Sequence, residues 1–454
     1  MSEQSTATRR DFIKTSAGVA AAAAVVTGPL VRPISAFVQG SAEIKIGLIG
    51  CGGRGTGAAS QNLSTEGPVK IVGVADAFED NARKCVENLK REHKDRVDVK
   101  DDNIFHGFDA YKNLIDSGID LVLIATSPGF RPIHFEYAVE KGKDIFMEKP
   151  VGTDAPGIRR LLAANKIAKE KNLKVGVGLQ RHHQAHYIET IKRIHDGEIG
   201  DPAKSELDLI RVYWNGSRPW VRPRKEGQTE IEYQMRNWYY FIWLNGDHIC
   251  EQHIHNLDVA NWIMKGPPAK AVGMGGRTLP VGPDNGQIYD HHAVDFTYPD
   301  GTRMESQCRH WAKCKNDVSE HAHGIKGYCD VSAGHIKFRD GTEWRYKHPG
   351  PGKEPNPYQV EHDDLMNAIR NNTPYNEGDY GAYSTMTSIL GRMATYSGAE
   401  VTMEQALASD YDLHPKVYDF KATPEEAWPD ADVRVEPDKE GRYWSPQPGV
   451  RRAF

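Results

Sequence analysis

The stretch that most narrows the possible folds is residues 44–55, Ile-Lys-Ile-Gly-Leu-Ile-Gly-Cys-Gly-Gly-Arg-Gly. The run from Ile44 to Ile49 reads as a buried strand, and Gly50, Gly52 and Gly55 come after it in G-x-G-x-x-G spacing. Each glycine has a physical task. The first permits a tight turn, the second lets a pyrophosphate approach the backbone, and the third lets the next helix pack on the strand. A helix opening at Gly53 and Arg54 presents free N–H groups and a partial positive charge to phosphate. Such a strand–turn–helix is expected to bind a dinucleotide.

Further strands and helices alternate beyond this motif. Val69 to Ala75 is a second apolar strand with Asp76 at its end, and Leu121 to Thr126 is a third. Lys143 to Met147 leads into Glu148-Lys149-Pro150, a helix spans Ala155 to Lys171, and Val175 to Leu179 closes the sheet. This alternation predicts an α/β domain, a doubly wound parallel sheet over residues 41–179. Asp76 can accept from both adenosine ribose hydroxyls, which favours NAD; Arg54 could instead hold a 2′-phosphate, which leaves NADP open. Gly50, Gly52, Gly53, Arg54, Gly55, Asp76, Thr126, Glu148 and Lys149 form the expected cofactor set.

The N-terminus reads as an address. Arg9-Arg10-Asp11-Phe12 precedes a weakly hydrophobic Ala/Val/Gly run from Ala17 to Leu30, ended by Gly28-Pro29. This is the pattern of a twin-arginine signal, assigned to residues 1–40, with the mature start between Ala36 and Glu43. The expected partner during export is the twin-arginine translocase, and the expected location is the periplasm or beyond. That route carries folded proteins, so a cytoplasmic cofactor must be loaded first. Lys plus Arg total 57 against 62 Asp plus Glu, a net charge of −5, with no long basic block. Nucleic acid is therefore not an expected partner. Six cysteines without a Cys-x-x-Cys argue against a zinc ribbon, and folding in the cytoplasm argues against a disulfide framework, although Cys308 and Cys314 could pair later.

A Gly-rich strand–turn–helix with a later strand ending in Glu148-Lys149-Pro150 resembles the glucose-fructose oxidoreductase / inositol dehydrogenase / rhizopine-catabolism (Gfo/Idh/MocA) family, over roughly residues 44–410. The resemblance implies a Rossmann domain and a larger α+β domain with an open, mostly antiparallel sheet, here 180–415. It implies NAD(P)-dependent oxidation or reduction of sugars and polyols, and a homo-oligomer built on the open sheet. It places Lys149 at the cofactor–substrate junction, where an ammonium can stabilise a developing alkoxide, and makes a cis Pro150 the expected geometry. The family's Asp-x-x-x-His-x-x-Asp helix corresponds here to Glu251, His255 and Asp258, with Glu in place of the first Asp. His255 is the expected general base, and Glu251 is expected to contact substrate or orient it. Arg181 matches a position at the substrate mouth, and Asp258 and Tyr187 complete the expected substrate set.

On one continuous helix, His248, Glu251 and His255 would share a face, which suits a divalent metal. The resemblance accounts for two of the three without one, so no metal is assigned. Trp214, Trp220, Trp238, Tyr239, Tyr240 and Trp243 suit either sugar faces or a core. Residues 215–240 read as a long loop over a site, 361–370 and 381–397 as helices of the second domain, and 416–454 as an extended arm on the surface or on a partner. Two other functions share these residues. A glycoside hydrolase could oxidise C3 transiently, eliminate, add water and re-reduce, using Tyr187, His182 or His253 as a further base. A sugar-binding protein would need neither Lys149 nor His255.

Overall fold

Six short strands, nearly all apolar, make the first sheet of the computed structural model, which describes residues 42–279 and 282–450. They are β1 (Ile44–Ile49), β2 (Val69–Asp76), β3 (Ile104–His106), β4 (Leu121–Ile124), β5 (Asp144–Met147) and β6 (Val175–Val177). All pair in parallel, in the order β3-β2-β1-β4-β5-β6. Crossover helices such as Gly53–Leu63 and Arg131–Glu140 cover the two faces, so the strands carry apolar residues on both. The strand order reverses between β1 and β4, and a crevice opens beyond their C-terminal ends. The signal-like segment 1–40 lies outside the described residues.

The second sheet has nine strands. β7 (Leu207–Gly216), β8 (Lys270–Gly276), β9 (His291–Thr297), β10 (Arg303–His310), β11 (Asp317–Gly324), β12 (Gly327–Asp330), β13 (His335–Phe338), β14 (Glu343–Arg345) and β15 (Val401–Thr402) lie in the order β14-β13-β12-β11-β7-β10-β9-β8-β15. Among these strands β7 and β10 run parallel and the other pairs antiparallel. β10 alternates strictly: Met304, Ser306, Cys308 and His310 are buried, while Arg303, Glu305 and Gln307 face out. Helices Ile254–Met264 and Gly378–Ser397 cover the buried face.

One expectation from sequence is corrected and two are narrowed. The helix expected at 361–370 runs Pro357–Asn371 and packs on the first domain: Leu365, Met366 and Ile369 join Ile44, Ile46 and Leu63 in one core. The 215–240 segment is a loop over the cavity only in part: residues 217–229 have no regular structure, and Trp220 and Arg222 line the cavity. It then forms the helix Glu230–Arg236, N-capped by Thr229, and Tyr233, Tyr239 and Tyr240 pack into a core. Of the two places expected for the C-terminal arm, it takes the one on its own chain, burying Trp428, Val433, Val435 and Tyr443 against Tyr233, Phe241 and Trp243. All six cysteines are free thiols, with Cys308 buried and Cys314 exposed. Among the described residues no helix is long and apolar enough to cross a membrane.

Candidate active site

The crevice beyond β1 and β4 deepens into a cavity of about 530 Å³ that runs between the two sheets. At one end the Gly-rich turn has a clear division of labour. Gly50 has φ +94°, and a Cβ there would lie 2.5 Å from the Ala125–Thr126 backbone. A Cβ on Gly55 would lie 1.8 Å from the Gly50 carbonyl oxygen. Gly52 and Gly53 meet nothing within 4 Å and line the cavity. The first pair closes the turn and the second leaves a bare backbone cradle at a helix N-terminus, which fits a pyrophosphate.

Asp76 anchors this end. Its Oδ2 accepts from Cys51 N at 2.7 Å, and its Oδ1 accepts from Phe78 N at 2.9 Å and Asn81 Nδ2 at 3.3 Å. A carboxylate has about four acceptor sites, so one remains for a ribose hydroxyl. Burial raises its pKa, and the two backbone bonds pull it back. Arg54 turns away from a 2′-phosphate role. It pairs with Glu148, donates to Glu361 at 3.0 Å and to Gln61 at 2.7 Å, and stacks on Tyr358. Thr126 lines the cavity with its hydroxyl 3.3 Å from His134 Nδ1.

The other end brings together Lys149, Glu251 and His255. The Lys149–Pro150 peptide is cis. Lys149 Nζ donates to the Glu251 carbonyl and, at 3.0 Å, to its Oε1. An ammonium has three N–H donors, so one is left for the cavity. Glu251 Oε2 is buried without a partner, as is His255 Nδ1. His255 stacks on Trp214 with ring centroids 5.8 Å apart. Burial, then the charges of Lys149, Arg181 and Arg54, hold its pKa well below the ordinary histidine value. The imidazole is therefore neutral and able to accept a proton.

The single helix expected through 248–258 is broken. One turn spans His248–Glu251, and a second helix starts at Ile254. The break still aims Glu251 and His255 into the same cavity, but it removes the His248–Glu251–His255 face. His248 turns to Asp247 instead, with Nδ1 2.9 Å from Oδ1.

The expected substrate set is not brought to the cavity wall. Arg181 is buried and pairs with Glu320 on β11, and Tyr187 donates to the other oxygen of the same carboxylate at 3.0 Å. A buried guanidinium needs such a counter-charge. Asp258 sits 2.9 Å from His182 Nε2 and accepts from Ser384 at 2.7 Å. Sequence reasoning missed Arg131, Gln252 and Tyr358, which do line the cavity, whereas Arg222 does so from the segment read as lying over a site. Arg131 is buried with an unpartnered Nε. Nothing in Phe130-Arg131-Pro132 signals it; only the three-dimensional turn after β4 does.

A dinucleotide cradle at the switch point of a parallel sheet, opening onto a second, open sheet, defines a two-domain pyridine-nucleotide oxidoreductase fold. Residues 44–179 match the Gfo/Idh/MocA model described as "Oxidoreductase family, NAD-binding Rossmann fold", and residues 6–26 match a twin-arginine translocation signal sequence. The first domain is thus a Gfo/Idh/MocA-type NAD-binding Rossmann domain, and the N-terminus is an export signal. Among curated proteins, scyllo-inositol 2-dehydrogenase (NAD(+)) of Bacillus subtilis is 28% identical over 238 residues, 52% of this chain and 58% of that enzyme. Inositol 2-dehydrogenase of Rhizobium meliloti is 24% identical, over 63% of this chain and 74% of its own length. Among solved structures, levoglucosan dehydrogenase with NADH and levoglucosan has a TM-score of 0.62 at 16% identity, covering 80% of this chain and 100% of its own. The Caulobacter crescentus aldose-aldose oxidoreductase has a TM-score of 0.61 at 17% identity, covering 79% and 99%. These structures share the fold.

Proposed function

We propose that the chain is an exported NAD-dependent oxidoreductase acting on a carbinol carbon of a sugar or polyol. One observation carries the reading. A neutral buried histidine, a lysine ammonium and the open Gly52–Gly53 cradle line a single cavity. Bound in that cradle, NAD supplies the acceptor for the hydride that leaves the carbinol carbon.

The chain's own residues do the rest. The third N–H of Lys149 binds the substrate oxygen and stabilises the developing alkoxide. His255 takes the hydroxyl proton, as a neutral imidazole can. The unpartnered Glu251 Oε2 accepts from a neighbouring hydroxyl, which fits a substrate carrying several. Trp214 stacks on His255 at this end, and Trp220 and Trp238 also line the cavity and offer ring faces to C–H groups. Asp76 beside the cradle, with Arg54 already held by Glu148 and Glu361, supports NAD over NADP. The names of the inositol and levoglucosan dehydrogenases point to the same substrate class. The outer face of the second sheet exposes Val272 and Met274, which supports a homo-oligomer.

The hydrolase reading draws less support. It needs a further base, and Tyr187, His182 and His253 face Glu320, Asp258 and Ser306 rather than the cavity. A non-catalytic sugar-binding protein would leave the Lys149–His255 arrangement unused.

The test begins with protein purified from an exporting host without added nucleotide. Denaturation should release near-stoichiometric NAD or NADH, identified by mass spectrometry. A panel of polyols, aldoses and glycosides should then change the bound cofactor's absorbance without releasing an aglycone. Aglycone release without net redox would favour the hydrolase. An empty protein that binds neither NAD nor NADP would sink both enzyme readings.

A further inference from the structure

Behind the cavity, on the far side of the turn that carries Glu251, lies a fully buried polar cluster that the proposed reaction does not use. Asp247, His248 and His292 are buried to 2% exposure or less, and one donor atom from each lies within 4.8 Å of the others. Asp247 Oδ1 is 2.9 Å from His248 Nδ1 and 3.4 Å from His292 Nε2.

The hydrogen bonds around this cluster leave it incomplete. Thr395 donates its hydroxyl proton to the Arg392 carbonyl at 3.0 Å. It must then accept from His292 Nδ1, 2.9 Å away. A hydroxyl has one proton, so His292 donates from Nδ1 and turns Nε2 toward the Asp247 carboxylate, 3.4 Å away. His292 Nε2, buried beside that carboxylate, makes no hydrogen bond. A buried ring nitrogen left without a hydrogen bond beside a carboxylate is a place that a shared cation would satisfy. Asp247 Oδ1 also caps its own turn, accepting from His248 N, and Oδ2 is satisfied by Tyr289 N at 2.9 Å and the Tyr396 hydroxyl.

We propose that Asp247, His248 and His292 bind a divalent transition-metal ion of the zinc class, which ties the Glu251-bearing turn to β9. Imidazole nitrogen and carboxylate oxygen suit such an ion. Metal–ligand bonds of about 2.0–2.1 Å at tetrahedral angles put ligand atoms about 3.3 Å apart, close to the separations found here. The His292 Nδ1–Thr395 bond is the outer contact that fixes a ligating histidine's tautomer. The ion would be structural, since no ligand lines the cavity.

The experiment is metal analysis of the full chain purified without chelators, then chelation and titration with Zn²⁺ or Co²⁺. The expected result is near-equimolar metal as isolated. Removing it should lower Tm, and Zn²⁺ should restore it. Co²⁺ should give visible d–d bands. His292→Gln should lose the metal, while His414→Gln, which alters the other Asp/His cluster (Asp154, Asp412, His414), should keep it. Two results would overturn the proposal: neither Zn²⁺ nor Co²⁺ binding to the folded wild-type chain, or metal that stays in His292→Gln. The wild-type titration does not depend on whether the variant folds, and neither outcome bears on the redox reading.

Discussion

Lys149 Nζ lies 3.0 Å from Glu251 Oε1, an ion pair that joins the end of the first sheet to the turn of the second domain inside the cavity. Both side chains are about nine-tenths buried, so removing either leaves the other's charge without a partner. Lys149→Met is expected to lower kcat by about 10²–10⁴-fold while NAD affinity changes little, because the Gly52–Gly53 cradle is untouched. Steady-state rates with parallel NAD fluorescence titration separate the two effects. Glu251→Gln should act mainly on KM for the polyol. An unchanged KM would remove Glu251 from the substrate contacts.

His255 carries a pH prediction. Its pKa is depressed, first by burial and then by Lys149, Arg181 and Arg54. The base form therefore persists below the ordinary histidine value of 6.5. The acidic limb of kcat/KM should fall below that pH rather than at it, and His255→Asn should abolish the limb and lower kcat by about 10²–10⁴-fold. A limb centred at or above 6.5 would point to another group.

How much of the fold and site was readable in the sequence depends on how local each signal is. The Gly50-x-Gly52-x-x-Gly55 turn is local, and its geometry follows from the backbone alone. Lys149 and His255 were legible through motifs attached to a strand end and a helix. Arg181 was misplaced because its partner, Glu320, lies 139 residues away on another strand. The same holds for the helix Pro357–Asn371, whose apolar stripe says that it packs but not on which domain. The break at Gln252–His253 was hidden because no Gly or Pro marks it.

The cradle separates binding from folding. Gly52→Val adds a side chain into open cavity space, so Tm should hold while NAD binding is lost. Gly55→Ala forces a Cβ against the Gly50 carbonyl, and overpacking of this kind costs about 1–3 kcal/mol. That variant should fall in urea midpoint as well as in NAD affinity. Equal stability loss in both variants would mean that Gly52 is structural.

Asp76 tests cofactor choice. Asp76→Asn keeps an acceptor for Cys51 N or Phe78 N but loses the charge that favours ribose hydroxyls over a 2′-phosphate. NAD affinity should fall about tenfold, which is about 1.4 kcal/mol, and the preference over NADP should narrow. Isothermal titration with both nucleotides measures this. Stronger NADP than NAD binding in the wild type would mean that Arg54 leaves Glu148 when the nucleotide arrives.

His414 clamps the C-terminal segment to the first domain. Its Nδ1 lies 3.1 Å from Asp154 and 3.2 Å from Asp412. Burial lowers its pKa, but the two carboxylates more than offset that and raise it to about 10. A histidine raised on folding stabilises fully below its unfolded value of about 6.5, and that stability is lost as pH rises through 10. The segment matters to the site, because Phe420 packs on Phe78 and Phe108, which line the cavity. His414→Gln should cost about 3 kcal/mol near pH 6, since it leaves Asp154 buried without its cation. It should also flatten the stability profile between pH 6.5 and 10 and weaken NAD binding through the loosened Phe420. Urea denaturation across that range checks the first two, and a profile as steep as wild type would exclude His414 as the clamp.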